Sequence, residues 1–496
     1  MALKDILVML WLALAISIGI NYFWGPQTKQ LSTREQDLNT EIDFIDIKPE
    51  TFKPIATTIT TPSMELVFSS EGATIERLAF KHPVAQGYEY IDTIFPPTTQ
   101  ERERGAFLVA FDQGTPFYYF LIDRKESEEA IDLTYRATFD KGTITKIFTI
   151  YKNKYQINLD LNIESAPDVK VHPRILFPAP VLASHKDEGL SGITESDSKK
   201  KLTIIKKTEE LVNSYWNQPT IFGAQNIYFI HAMVADKNSS LKRGFFKLDN
   251  TLLIAILECG AERGGMHSIF SFYCGPKEER ALMAVDPRLV DTIDYGWFAP
   301  VGRMMLKALN ALYSYTHNYG WAIVLLTLII RLLLLPFTLR AERSMKRGAD
   351  MGRKLQALER KYKDNPEQLE QEKLALLKKE GFGMGGCLGI LVQIPVLIAL
   401  SYVLRNAIQL YRAPFIGWIK DLSIPDPFYV LPVLVGVSMI SGGNPRDMQQ
   451  RLATLIGALI LAAFSATWPA GLTLYLFVST AAGVAQSYLQ RRLYPQ

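Results

Sequence analysis

The stretch Trp321–Arg340, WAIVLLTLIIRLLLLPFTLR, constrains this chain more than any other. It is an apolar run long enough to cross a bilayer, with one cation, Arg331, near its middle. Arg331 lies about 15 Å beyond Trp321 along a helix rising ~1.5 Å per residue. The hydrocarbon core is about 30 Å thick, which puts the charge close to mid-depth. An arginine there costs ~2.5–3.5 kcal/mol on insertion scales. The usual offset is a carboxylate, yet the other apolar spans hold no Asp or Glu. The charge therefore faces water, a lipid headgroup or a ligand. Thr327 and Thr338 share its side of the helix, giving a narrow polar stripe interrupted by Leu334 and Leu335.

A chain of 496 residues is too long for one domain. Residues 28–296 read as water-soluble, and 6–24 and 321–490 as membrane. A net charge of +4 does not point to nucleic acid, and three cysteines exclude a disulfide scaffold. Apolar spans fall at Ile6–Phe23, Trp321–Leu339, Leu388–Leu404, Phe428–Ile440, Leu452–Trp468 and Ala470–Gln486. The first lacks a strongly basic flank and a small-residue cleavage site, so it reads as an uncleaved anchor. Charge sets the orientation. Segment Arg340–Glu380 carries twelve Lys/Arg against eight Asp/Glu, and Arg446, Arg451, Arg491 and Arg492 fall on the same side. That side is the cytoplasm by the positive-inside rule, which leaves both termini cytoplasmic and the large soluble region outside.

The expected division is an anchor at 1–24, a linker at 25–59, a β domain at 60–292 and an amphipathic segment at 293–320. A membrane core at 321–490 follows, containing a cytoplasmic helical hairpin at 341–380, and then a short tail at 491–496. In the β region Tyr155–Ile163 alternates apolar and polar residues, and Thr143–Tyr151 precedes it across a turn at Lys152-Asn153-Lys154. Further strand-like runs are Glu65–Phe68, Phe117–Ile122, Thr251–Leu257 and Ser268–Tyr273. No helical period is visible before Asp291, so a large β-sandwich is expected. His82, His172, His185, His231 and His267 show no metal-ligand spacing, and no metal or cofactor site is expected. Cys259 and Cys274 are compatible with pairing or with remaining free.

Around Trp297–Tyr315 the period turns helical, with Phe298, Val301, Met305, Leu309 and Leu312 on one face and Arg303 and Lys307 off it. This helix suits the outer membrane interface or the surface of the β domain. In the cytoplasmic segment Leu355, Leu358 and Tyr362 recur at helical spacing. Asn365 and Pro366 open a second helix that carries Leu369, Leu374 and Leu377 and stops at Gly381. The hairpin serves either as a spacer or as a contact surface. Gln393 and Pro395 lie in the third span, Thr454 and Ser465 in the fifth, and Thr473 and Thr480 in the sixth. Such residues glue helices together or line one wet cavity with Arg331, and periodicity does not separate the two.

The residues in order resemble the YidC-type membrane protein insertases, in the bacterial form with a large periplasmic domain. The resemblance rests on Asp294-Tyr295-Gly296-Trp297, Ile329-Ile330-Arg331, Pro336-Phe337-Thr338, Gly385-Gly386-Cys387-Leu388 and Gln393-Ile394-Pro395. It continues through Trp418–Ser423, Asp426-Pro427-Phe428-Tyr429 and Pro469-Ala470-Gly471-Leu472 with Leu474-Tyr475. Ser70–Ile75 is the best local likeness in the β region. Gly389, Ser401 and Leu476 depart from the family pattern, and the tail after Arg492 is too short for a ribosome-binding extension.

The resemblance implies a six-span α-helical membrane protein of the bacterial inner membrane. It would have a five-helix insertase core and an all-β periplasmic domain of the β-supersandwich type. It implies a hydrophilic groove bearing Arg331, lined by Thr327, Gln393, Thr473 and Tyr475, and a hairpin that receives substrate on Leu355, Leu358, Leu374 and Leu377. Implied partners are nascent membrane proteins, the Sec translocon, membrane lipids, and the ribosome or targeting factors at the cytoplasmic loops. No enzymatic step is implied, and no P-loop is present. A small-solute transporter is the alternative, but the spans lack the titratable acid such transporters use. A third reading, a carbohydrate-binding protein on a membrane anchor, leaves so many spans without a purpose.

Overall fold

The structure is a computed structural model of the chain. It describes residues 40–44, 54–84, 87–96, 104–112, 114–140, 142–182, 190–196, 202–235, 240–250, 252–295, 299–362, 365–380, 388–442 and 448–493. The expected first span, Ile6–Phe23, and His185 lie outside the described residues. The described residues divide after Ile293 into two compact units.

Alternation builds the β unit. Strand Gln156–Ser165 buries Ile157, Leu159, Leu161 and Ile163 and leaves Gln156, Asn158, Asp160 and Asn162 half-exposed. It pairs antiparallel with Gly142–Tyr151. Both belong to a nine-stranded sheet. From one edge its order is Thr203–Ile205, Ser191–Ser196, Pro219–Gln225, Phe229–Val234, Gly265–Pro276, Gln156–Ser165, Gly142–Tyr151, Ala130–Phe139 and Phe120–Glu126. A five-stranded sheet runs Tyr215–Asn217, Leu241–Asp249, Leu252–Cys259, Arg174–Pro178 and Leu108–Ala110. A four-stranded sheet takes Ala56–Thr60, Met64–Ser69, Thr74–Val84 and Gly87–Ile94 in sequence order.

Aromatic residues join the sheets. The Phe107 ring lies 5.5 Å from Phe148 and 4.7 Å from Phe272 of the nine-stranded sheet, and 4.8 Å from Phe177 of the five-stranded one. Phe68 of the four-stranded sheet lies 5.0 Å from Phe148. Each such side chain contributes ~1.5–3 kcal/mol on burial. The same alternation carries Lys146 into the core, where it is fully buried. Its Nζ donates to the carbonyls of Gly72 at 2.6 Å and Phe107 at 2.8 Å, beneath the Tyr119 ring. Gly72 and Ala73 adopt φ of +65° and +42°, the left-handed turn that presents the first of those carbonyls.

Two expectations change here, and the open question of the cysteines closes. Among the described residues two short helices precede Asp291, α1 (Thr208–Val212) and α2 (Glu279–Met283). Each has five residues, fewer than two turns, which is too short to imprint a helical period. Part of the stretch read as linker is packed. Ile42 and Phe44 lie against the five-stranded sheet, and Phe44 meets the Phe117 ring at 5.0 Å. Cys259 and Cys274 are buried and free, and burial pushes both thiols up, Cys259 to about 12.

The second unit is helical: α3 (Ala299–Thr316), α4 (Tyr319–Lys361), α5 (Pro366–Glu380), α6 (Leu388–Asn406), α7 (Val430–Gly442), α8 (Met448–Ser465) and α9 (Ala470–Leu493). Tyr319–Leu339 and Ala470–Gln490 are long and apolar enough to cross a bilayer. α6 and α8 run 19 and 18 residues, and the apolar helix α7 is shorter, with 13. Asn318 caps α4 by accepting from the Trp321 amide at 3.2 Å. The helix then runs without a break into the segment read as the first hairpin arm. Nothing between Arg340 and Lys361 stops it, since the stretch is rich in Ala, Glu, Lys, Arg, Met and Leu. α5 begins as expected, with Asn365 Oδ1 accepting from the Gln368 amide at 3.4 Å. The apolar face of α3 is turned inward: Gly302, Met305 and Leu309 are buried, and Gly302 lies against Val403 of α6.

Candidate functional site

Helices α4 and α9 lie side by side and parallel. Ile323 packs at Gly471, Arg331 donates from Nε to Ser479 Oγ at 2.9 Å, and Gln486 reaches Thr338 Oγ1 at 3.4 Å. The guanidinium also faces Gly483, one turn beyond Ser479. These contacts keep one sequence offset from end to end, which only parallel helices permit. α7 runs parallel to α9 as well, through Ser438–Thr480 at 2.7 Å and Gly442 against Val484. α8 is antiparallel to α7, because Gly436 meets Ala462 and Gly457 meets Met439.

Packing is uneven along the α4–α9 seam. At the N-terminal end of α4, Ala322, Ile323, Leu326 and Thr327 are buried. From Arg331 to Leu339 none of the side chains is buried. α9 behaves alike: Ala470 to Leu476 are all buried, and beyond them only Ser479 is among the described side chains. The tight half is further covered by the segment Ala407–Tyr429. Asn318 Nδ2 donates to the Phe415 carbonyl at 3.0 Å, and the Ala470 and Gly471 amides donate to Ile424 and Leu422 at 2.7 and 3.0 Å. Asp426 is buried and accepts from Trp418 Nε1 at 3.0 Å and from the Leu431 amide at 2.8 Å, which ties this cover to the start of α7. The bundle is therefore shut at one end and loosens from Arg331 onward.

The expected groove residues divide along this line. Arg331 stands at the transition, half-buried, with Ser479 as its acceptor. Thr327 is 1% exposed and bonds back to the Ile323 carbonyl at 2.6 Å. Thr473 is equally buried and donates to the Ser465 carbonyl at 3.0 Å, joining α9 to α8. Tyr475 is buried on the same closed half. All three sit within the packing, and the two threonine hydroxyls, satisfied on backbone carbonyls, do not need water. The Gln393 and Leu377 side chains lie outside the described residues. Leu355 and Leu358 are half-buried on α4, Leu374 is exposed on α5, and Lys373 bridges to Glu359 at 2.6 Å between the two arms. Ser479, Gly483 and Gln486 were missed as partners of α4. Their only signal in sequence is small and polar residues at three- and four-residue steps in an apolar helix.

Two histidines of the β unit are tied into the fold. His231 is buried between Thr93 Oγ1 at 3.2 Å and the Pro178 carbonyl at 3.1 Å, and burial pushes it down to about 4. His172 bridges Asp112 at 2.8 Å and Glu258 at 3.0 Å, and those bonds raise it above its ordinary value, Glu258 most.

Two family models match the chain, meeting within α3. Residues 56–308 match the family model described as the YidC periplasmic domain, and residues 311–496 match the 60Kd inner membrane protein model. The chain is 32% identical over 389 residues to the membrane protein insertase YidC of Methylobacillus flagellatus, covering 74% of this chain and 69% of that one. It is 39% identical over 228 residues to the protein of the same name in Campylobacter jejuni, covering 45% of this chain and 43% of that protein. The alignment thus spans less than half of the Campylobacter protein. Among solved structures, it is similar to an active YidC insertase crystal structure with the first transmembrane domain resolved, at 18% identity and a TM-score of 0.40, covering 98% of this chain and 99% of that one. The chain belongs to the YidC family, inner-membrane proteins whose matched members are named membrane protein insertases.

Proposed function

We propose that this chain inserts newly made membrane proteins through the open half of the α4–α9 seam, with Arg331 at its head. The single observation that carries the reading is the loss of burial on both helices at the level of Arg331 and Ser479, opposite the covered end. The covered end is periplasmic and the open end cytoplasmic. The charged extension of α4, the α5 arm, and Arg491 with Arg492 all follow from the open end, as positive-inside bias requires. Five helices, α4 and α6 to α9, form the core, and the parallel run of α4, α7 and α9 fits alternate crossings of one membrane. With the anchor at residues 1–24 the spans number six, the termini are cytoplasmic and the β unit is periplasmic. α7, with 13 residues, is short for a bilayer, so it tilts or thins it locally.

The physics is differential solvation. A cation held in a partly hydrated inner cleft attracts the acidic or polar flank of an arriving segment. It thereby lowers the cost of carrying that flank part-way across. The client's apolar segment leaves sideways along exposed Leu332 and Leu333, and transfer to lipid drives the step at ~25 cal/mol per Å2. No covalent chemistry or nucleotide is required. Clients are nascent membrane proteins, delivered over the α4–α5 hairpin from the ribosome, a targeting factor or the Sec translocon.

The test is insertion of a single-span protein with a short acidic tail into vesicles holding Arg331→Ala or Arg331→Lys. Ala should slow insertion about tenfold, equivalent to ~1.4 kcal/mol, and Lys should retain most of it. Equal rates for Ala and the unaltered chain would remove the charge from the mechanism.

A further inference from the structure

Helix α3 lies across the covered end of the bundle. Near its start Gly302 rests on Val403, close to the end of α6, and near its finish Tyr313 stacks on Tyr319, the first residue of α4, at 4.0 Å. With Gly302, Met305 and Leu309 turned inward, Pro300, Met304, Lys307, Ala311 and Tyr315 form an outer stripe at helical spacing. All five are exposed, Met304 by 65% and Tyr315 by 84%. At the start of this stripe Ala299, Pro300, Arg303, Met304 and Lys307 line an open cavity of about 640 Å3.

Two cations one turn apart share that cavity with three apolar side chains. The Arg303 guanidinium is held 5.5 Å from the Tyr295 ring centroid. Its Nε is buried and donates to no acceptor among the described residues. A guanidinium and an ammonium lining one open cavity offer an anion there two charge-assisted partners. We propose that the cavity binds the phosphate of an anionic phospholipid of the outer leaflet. The phosphate sits between Arg303 and Lys307, and the glycerol and upper acyl chain lie on Met304 and Pro300.

The chemistry favours a lipid over a free anion. Arg303 and Lys307 supply two positive charges for one phosphate, while the rest of the lining is apolar. Exposed Tyr315 and Trp321 mark the same end of the bundle, as amphipathic rings do at headgroup level. Arginine and lysine stems also reach from apolar surface to headgroups without leaving either. The proposal rests on the membrane placement given above, and goes beyond it by assigning a lipid site on the side opposite the client groove.

The test uses the full chain in phosphatidylcholine nanodiscs doped with phosphatidylglycerol, followed by native mass spectrometry. The unaltered chain and an Arg303→Lys, Lys307→Arg variant should retain a phosphatidylglycerol that the Arg303→Gln, Lys307→Gln variant loses. Inorganic phosphate should not displace it. Equal retention by the Gln variant, equal retention of phosphatidylcholine, or displacement by phosphate would each overturn the assignment. A nitroxide on Tyr315→Cys, with Cys387 replaced by Ser, should report headgroup depth. A nitroxide far from the headgroups would overturn the membrane placement itself, whereas one at headgroup depth with no lipid lost is a failure of the cavity alone.

Discussion

Arg331 is positioned by a hydrogen bond, its Nε donating to Ser479 on a neighbouring helix. Ser479→Ala keeps the cation and removes that acceptor, so insertion rates should fall several-fold, less than for Arg331→Ala. Lys146 poses the opposite problem, an ammonium sealed in a β core, where burial pushes it well below the usual lysine range. Lys146→Met would leave the Gly72 and Phe107 carbonyls without their donor at ~1–3 kcal/mol each. Urea titration of the β unit within the full chain should show a loss of about 2–5 kcal/mol. His172 carries a sign. Its folded pKa is raised from 6.5, so its two ion pairs contribute fully below pH 6.5 and are lost as pH rises through the raised value. The melting temperature of the β unit should fall as pH rises above that point, and His172→Gln should flatten the fall. Arg331 was legible because an arginine in twenty apolar residues is expensive on its face. Lys146 was not singled out, although alternation puts it on the buried side of its strand, because a lone lysine in a strand usually reaches solvent.

At the level of elements, spans and strands were legible wherever a period of two or of three to four ran for several residues. Tyr155–Ile163 alternates as read, and α4, α6, α7, α8 and α9 overlap the apolar runs. What periodicity leaves open is partnership. It shows that α3 has an apolar face but not that α6 receives it, and it gives no sign that α4 continues unbroken to Lys361. Thr327, Thr473 and Tyr475 were assigned to a groove by the family resemblance, while periodicity left the threonines open between helix packing and a wet cavity. Local backbone acceptors and close packing satisfy the two threonines, and no periodicity records those. The cover over the closed end leads to a prediction of its own. A Cβ at Gly320 would overlap the Phe415 ring, so Gly320→Ala must displace Phe415 or α4. Such overpacking costs ~1–3 kcal/mol, and segment Ala407–Tyr429 should become cleavable by protease added from the periplasmic side.

Across the whole molecule, two compact units share one chain, and the account gives insertion to the helical one. A chain lacking the β unit should still insert single-span clients, and loss of insertion in a stably expressed truncation would move function outward. On the proposed mechanism the seam is open to clients below Arg331 and shut above it. Photo-crosslinkers placed singly along α4 and α9 and challenged with a nascent single-span protein test it most directly. Probes at Thr338 and Gln486 should capture the client, and probes at Thr327 and Thr473 should not. Capture from the upper pair with none from the lower would contradict the account.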